Sequence, residues 1–272
     1  MTKYYTRACN FYYGTLSKNL IRKKLALPLC GNKSIAFDTI EIFTRNKKKI
    51  SSIIINIKKI KNLKKKCKDK VLKDLKIIKA KRNYFLDPTI MGILNMTPDS
   101  FSDGGKFNQL SKAFKQINFM IKSGAKIIDV GGESTRPGSK TIKPAQEWKR
   151  VKNIIKRFKK KYPKILLSID TRKSELMKKS IAYKADIVND VSGFKYDKNS
   201  LSMIKNYKIW KVIHHMQGTP DTMQKNPKYQ NVLLDIYDFF EETITKIKRK
   251  NRVNKIILDP GIGFGKNLKH NL

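Results

Sequence analysis

The sequence is poor in cysteine, acidic residues and long apolar runs, and each shortage excludes a class of protein. Its only cysteines, Cys9, Cys30 and Cys67, have no paired spacing, which excludes a disulfide framework and a cysteine metal site. The longest apolar runs, such as residues 53–57, are far too short to span a bilayer. The N-terminus also lacks the apolar region of a secretory signal. We therefore expect a cytoplasmic protein with no membrane partner.

Lysine is the residue that the chain has in excess. The sequence carries 61 Lys and Arg against 21 Asp and Glu, a formal net charge of +40. Lysines outnumber arginines 51 to 10, whereas proteins that read bases rely on arginine forks. No nucleic-acid-binding signature is present. A solvated lysine-rich surface is thus favoured over a nucleic-acid partner, and its field would attract anionic substrates.

Composition divides the chain into two parts. Residues 1–86 form a basic N-terminal extension, with 24 basic and 4 acidic residues. Residues 35–43 and 50–57 are predicted strands, and residues 58–81 are a lysine-rich helical or solvated stretch. An Asp-Pro pair at residues 87–88 marks the boundary. No motif that carries chemistry occurs in the extension.

From residue 90 onward, apolar strand patterns alternate with amphipathic helical patterns. The predicted strands cover residues 90–94, 126–130, 165–169, 186–191, 211–215 and 255–258. The predicted helices cover residues 111–122, 144–160, 174–183 and 232–248. Such alternation indicates a parallel sheet with right-handed crossovers. Polar residues follow every strand, which is typical of the functional face of a (β/α) barrel, whereas a doubly wound sheet, the second possibility, would concentrate its site at one switch point.

The number of strands is smaller than a barrel needs. Six strand patterns occupy 183 residues, whereas a complete barrel has eight strands and about 250 residues. We therefore expect an α/β fold, a TIM-type (β/α)8 barrel truncated after the sixth strand, over residues 87–272.

Six phrases at the strand ends carry the chemistry. They read GILNMTPDSFSDGG (92–105), GGESTRPG (131–138), SIDT (168–171), VNDVS (188–192), HMQGTPDTMQ (215–224) and LDPGIGFGK (258–266). Together they resemble dihydropteroate synthase, a family of pterin-binding barrels in folate biosynthesis. The resemblance implies condensation of (7,8-dihydropterin-6-yl)methyl diphosphate with 4-aminobenzoate, giving 7,8-dihydropteroate and diphosphate.

The resemblance also implies which residues hold the pterin ring. The ring presents a donor edge, which Asp170 and Asp259 can meet as acceptors, while the amide of Asn189 can donate or accept. Met216 and Phe264 are expected to flank the ring by packing.

A second group of residues is implied for the diphosphate and the aminobenzoate. Asn95 resembles the family's position for Mg²⁺ and diphosphate, since an amide oxygen with phosphate oxygens and waters suits magnesium. Asp99 lies in the first of two loops expected to close over the substrates. In the second loop, Thr135 contacts substrate, Arg136 steadies the departing phosphate charge, and Pro137 forms a wall of the aminobenzoate pocket.

The family pattern continues beyond the phrases found here. A Ser-Arg-Lys-type phrase and a late Arg-x-His do not occur in the 272 residues, so we expect this chain to be unstable or inactive unless a partner supplies the last units. The complete barrel would form a homodimer. Two alternatives remain: a pterin-binding relative that transfers methyl groups to a corrinoid, and an inactive remnant whose basic extension binds a polyanion.

Overall fold

The computed structural model describes residues 2–47, 49–81, 87–97, 106–136, 138–248 and 255–272. The chain divides into two compact units, Met1–Pro88 and Thr89–Leu272. Within the described residues, no helix is both long and apolar enough to cross a bilayer.

The N-terminal unit is an antiparallel sheet with helices. Its strands are β1 (Thr2–Tyr13), β2 (Leu27–Leu29), β3 (Asn32–Asn46) and β4 (Lys49–Asn56). Its helices are α1 (Gly14–Arg22), a 3-10 helix (Ile57–Asn62) and α2 (Lys65–Lys79). The long β3 pairs with all three other strands. The two strands predicted in this part correspond to β3 and β4, whereas β1 was not predicted.

The lysine-rich stretch contains an amphipathic helix. Val71 and Leu75 of α2 are almost fully buried and join Phe37 of β3 in one apolar cluster. Asp74 is also buried on this helix. Its carboxylate accepts a hydrogen bond from the Thr6 hydroxyl at 2.9 Å. The lysines of α2 are mostly solvated while its apolar side contributes to the core.

The C-terminal unit contains a six-stranded parallel sheet. The strands are β5 (Ile90–Asn95), β6 (Ala125–Gly131), β7 (Leu166–Asp170), β8 (Ile187–Asp190), β9 (Trp210–His214) and β10 (Ile256–Asp259). All six agree with predicted strands to within one or two residues at most ends. They pair strictly in chain order, from β5 to β10. A doubly wound sheet reverses its strand order at a switch point, so this topology favours the predicted barrel.

The described helices of this unit are α3 (Lys106–Lys122), α4 (Pro144–Lys161), α5 (Ser174–Ala182), α6 (Ser200–Ile204), α7 (Val232–Lys248) and α8 (Leu268–Asn271). All but the short α8 pack on one face of the sheet. Ile154 and Phe158 of α4 are fully buried against Ile128 and Leu167 of the sheet. α5, α6 and α7 form a second cluster with β8 and β9 around Val188. The short α6 and α8 were not predicted.

Successive side chains of a strand point to opposite faces of the sheet. The strand side chains that do not face the helices therefore lie on the opposite face, here called the inner face. Its lower part is apolar, with Ile127, Ile187 and Val212 buried in one cluster. Its upper part, at the carboxyl ends of the strands, is polar. This division places the polar residues of the strand ends on the face that the described helices leave uncovered.

Candidate active site

Four predicted or adjacent site positions form one row across the inner face. Asn95, Gly131, Asp170 and Asn189 are paired in register on β5, β6, β7 and β8. A Cβ atom at Gly131 would lie 3.3 Å from Asp170 Oδ2 and 3.5 Å from Asn95 Oδ1. Glycine at this position therefore lets two polar side chains approach each other across β6.

Asp129 lies one step below this row and is hydrogen-bonded to it. The Asn189 Nδ2 amide donates to Asp129 Oδ2 at 2.9 Å, and Asp129 is only 3% exposed. The other oxygens of the pair, Asp129 Oδ1 and Asn189 Oδ1, are buried and make no hydrogen bond among the described residues. Buried acceptors normally have donors, so these two oxygens are candidates for contact with a ligand or water.

The carboxyl groups of this region have raised pKa values. Burial, reinforced by the negative charges of Asp129, Glu147 and Asp190, raises the pKa of Asp170 well above its usual range. Burial likewise raises the pKa of Asp129, although the Asn189 amide opposes the shift. On the outer side, burial raises the pKa of Asp190 to about 6. All three charged forms are disfavoured because burial removes them from water, and neighbouring carboxylates add to this effect at Asp170.

At the end of β10, Asp259 is surrounded by positively charged or hydrogen-bond-donating groups instead of other carboxylates. Asp259 Oδ2 lies 3.0 Å from His214 Nδ1, and its Oδ1 accepts from the Gly261 amide at 2.8 Å. Burial acts to raise the pKa of Asp259, but the bond to His214 and the nearby Lys266 bring it below its ordinary value. Phe264 packs edge-on against the His214 ring, with centroids 4.7 Å apart. His214 and the Gly261 amide thus orient the Asp259 carboxylate, and Phe264 packs against the His214 ring.

Lys266 is a buried cation beneath this loop. Its Nζ donates to the carbonyls of Gly261 at 2.9 Å and Phe264 at 3.0 Å, and lies 3.1 Å from His215 Nδ1. Burial lowers the pKa of Lys266 to about 8. Burial and the adjacent Lys266 charge lower the pKa of His215 to about 4, so its ring is neutral at pH 7. The His215 ring is thus packed beside Lys266 and edge-on to Phe239.

The loop after β6 is anchored by a buried ionic network. Glu133 pairs with Arg172 and accepts from Lys173 Nζ at 2.6 Å. Lys173 also pairs with Glu147 of α4. All four side chains are nearly fully buried. The Ile142 amide adds a bond to Glu133 Oε2 at 2.9 Å, so both ends of this loop are fixed.

The predicted loop residues lie beyond the anchor. Thr135 is half-buried and Arg136 is exposed, and the Arg136 amide donates to Ser134 Oγ at 3.3 Å. Asp99 and Pro137 lie outside the described residues. The exposed position leaves the Arg136 side chain available to a ligand.

Met216 lies in the loop after β9 and lines a cavity of about 420 Å³. The other walls come from the ends of β7 and β8 and from α7. They include Arg172, Ser192, Tyr196, Gln217 and Phe239. This volume suits a small molecule.

A magnesium ion fits this site only together with a substrate. In the part of the chain that the structure describes, no group of three or more His, Cys, Asp or Glu side chains could hold a metal ion. The Asn95 side chain is exposed at the end of β5, and its amide oxygen is a hard ligand of the kind that magnesium accepts. One such ligand suits an ion whose other positions are filled by phosphate oxygens and waters.

The sequence identified most of the row but not the residues that orient it. Asn95, Asp170 and Asn189 lie together as strand-end residues, with Asp259 at the end of β10. Asp129, His214 and Lys266 were given no role, although each lies within or beside a quoted phrase. The available signal was the polarity of side chains on otherwise apolar strands.

The comparisons with known proteins agree with this arrangement. The family model described as "Pterin binding enzyme" matches residues 91–272. The chain therefore belongs to this family of pterin-binding enzymes. The dihydropteroate synthase of Escherichia coli (strain K12) is 42% identical over 185 residues, covering 68% of this chain and 65% of that protein. The chain thus spans about 65% of the length of that relative.

Solved structures show the same similarity. A dihydropteroate synthase from Clostridium difficile, crystallised in the presence of pteroic acid, matches with a TM-score of 0.63 and 40% identity, covering 70% of each chain. A dihydropteroate synthase of Xanthomonas albilineans with 4-aminobenzoic acid matches with a TM-score of 0.61 and 32% identity. That match covers 69% of this chain and 66% of the other. These matches confirm the predicted barrel fold.

Proposed function

We propose that the protein is a dihydropteroate synthase, which joins (7,8-dihydropterin-6-yl)methyl diphosphate to 4-aminobenzoate. The observation that carries this proposal is the polar row of Asn95, Asp170 and Asn189 on the inner face. The 42% identity to an Escherichia coli protein of that name supports it.

In this reaction the amine nitrogen of 4-aminobenzoate attacks the methylene carbon of the pterin. The bond from that carbon to the diphosphate oxygen breaks, and diphosphate leaves with the electron pair. The new secondary amine then releases one proton to solvent. Diphosphate is a good leaving group and the amine is already nucleophilic, so positioning and charge stabilisation are the protein's main contributions.

Asp170, Asn189 and Asp259 would bind the ring of the pterin. Asp259 is held as a carboxylate by His214 and the Gly261 amide, so it can accept from ring N–H groups. Asp170 has a raised pKa in the free protein, and donors on a bound ring would favour its ionised form. Phe264, already packed on His214, and Met216 would contact the faces of the ring.

Asn95 would hold a magnesium ion that arrives with the diphosphate, and the ion would neutralise charge on the leaving group. Arg136, Thr135, Asp99 and Pro137 are assigned by resemblance to the two loops over the substrates. A homodimer and a cytoplasmic location remain predictions from the sequence.

Ligand binding tests the row directly. We expect the protein, purified as the cell makes it, to bind 6-hydroxymethylpterin, and Asp170→Asn and Asp259→Asn each to weaken binding by about tenfold or more, because each replaces a charged hydrogen-bond acceptor with a neutral amide. Glu175→Gln is the matched control, since Glu175 is an exposed carboxylate on α5 paired with Lys179.

Turnover separates the synthase from the methyl-transferring alternative. The protein purified as the cell makes it should form 7,8-dihydropteroate from both substrates and Mg²⁺. Binding of a reduced methylpterin followed by methyl transfer to a corrinoid, without dihydropteroate formation, would contradict the proposal.

A further inference from the structure

Asp129 is the most buried carboxyl group connected to the polar row. It lies on β6 one step below Gly131, with Ser168 opposite it in the strand register. Its link to the row is a hydrogen bond from Asn189, whose Nδ2 atom donates to Asp129 Oδ2 at 2.9 Å.

The bond fixes which end of the Asn189 amide faces the site. In the structure the Asn189 NH₂ group faces Asp129 and donates to its Oδ2 atom at 2.9 Å, and this atom is the acceptor of the bond. The Asn189 carbonyl oxygen is then directed away from Asp129, and this oxygen is buried with no partner among the described residues. The side chain, which could donate or accept in isolation, is limited to accepting.

We propose that Asp129 is a positioning residue that sets the ligand specificity of the site by holding the Asn189 amide in one orientation. The site then presents an acceptor at Asn189 beside the acceptors of Asp170, and selects rings that carry a donor there. This inference rests on the proposed function for the identity of the ring, because a 2-amino-pteridine carries such a donor edge.

The mechanism predicts a change in selectivity rather than a uniform loss of affinity. Without Asp129 the amide can rotate, and an NH₂ group can face the ligand as readily as the carbonyl. A ring with an oxygen in place of the amino group would then bind better relative to the pterin. A merely structural role for Asp129 would weaken both rings by the same factor.

The test compares 6-hydroxymethylpterin with 6-hydroxymethyllumazine, which carries oxygen at the position of the 2-amino group. We expect the wild-type chain to prefer the pterin, and Asp129→Leu, of similar size, to reduce that preference by about tenfold, because an unmatched buried polar group costs this much. Asp129→Asn keeps an oxygen that can accept from Asn189 and should retain most of the preference. Ile187→Val is the control, since Ile187 is a buried apolar residue of the same face, and it should leave the preference unchanged.

Each result has a defined meaning. Equal weakening of both rings by Asp129→Leu, or loss of the preference in Ile187→Val, would overturn the positioning role while leaving the proposed function intact. Binding of neither ring by the wild-type chain would overturn the proposed function and this inference with it.

An exchange variant covers the case in which Asp129→Leu does not fold. In the double variant Asp129→Asn with Asn189→Asp, the new amide at 129 donates to the new carboxylate at 189. The outward atom at 189 remains an acceptor, so the preference for the pterin should return to within about threefold of wild type. A folded exchange variant without that preference would contradict the proposal.

Discussion

Two aspartates at strand ends of the inner face, Asp170 and Asp259, have pKa values shifted in opposite directions. Asp170, at β7, has a raised pKa because burial is reinforced by neighbouring carboxylates. Asp259, at β10, has a lowered pKa because His214 and Lys266 outweigh burial. The pKa of an aspartate at a strand end thus depends on the charges that the neighbouring strands place around it.

The two regions also differ in the interactions that hold their loops in place. The β6–β7 end rests on a buried ionic network around Glu133, in which two cations and two carboxylates neutralise one another. The loop at the β9–β10 end is supported by Lys266, which donates mainly to backbone carbonyls. Damage to the first support should leave charges unpaired, whereas damage to the second should leave dipoles unpaired.

The largest effect is expected at the ionic network. Lys173→Met leaves Glu133 and Glu147 with one cation between them in a buried position, which should lower the free energy of unfolding by about 3–5 kcal/mol. Urea denaturation measures the change. Lys179→Met is the control, because its partner Glu175 is exposed, and it should cost less than about 0.5 kcal/mol. Similar losses in both variants would mean that the network is not a special support.

A pH-dependent effect of intermediate size is expected at His215. Its pKa is about 4 in the folded protein against a usual value of 6.5, so between these values the unfolded chain binds more protons and the folding contribution of His215 rises with pH. Relative to His215→Phe, the wild-type protein should therefore be more stable at pH 7 than at pH 4 by about 3 kcal/mol. Urea midpoints at both pH values measure this, and an equal difference at both would contradict the neutral, buried ring.

The smallest effect is expected at Lys266. Lys266→Met removes the donor from the carbonyls of Gly261 and Phe264, which should cost about 1–3 kcal/mol. The pKa of His215 should also rise, because the adjacent positive charge disappears. Thermal unfolding and an NMR titration of His215 measure the two changes. Lys269→Met, at an exposed position, is the control and should change neither quantity.

Much of the C-terminal unit could be predicted from the sequence because its strands are uniformly apolar and end at polar phrases. The six strands and four of the helices follow from this local pattern. β1 could not be predicted in the same way, because most of its residues are half-buried without regular alternation. Its formation depends on pairing with β3, whose residues lie 22 (Tyr13 with Ile35) to 44 (Thr2 with Asn46) positions away in the sequence.

The supports of the site were harder to predict for a related reason. Glu133 and Lys173 are 40 positions apart, and Asn189 and Asp129 are 60 apart. No spacing rule links such residues, since only the strand register brings them together. The residues that contact a ligand can be found through a motif, whereas the residues that orient them depend on the assembled sheet.

The pairing of β5 to β10 in chain order has a consequence for how the protein is made. Each new strand of the sheet can pair with the strand synthesised just before it, so no strand has to wait for a partner from the far end of the chain. Each pairing spans only one crossover connection, so the loop that must close is shorter than it would be for strands from opposite ends of the unit. The sheet is thus suited to growing one strand at a time as the chain leaves the ribosome.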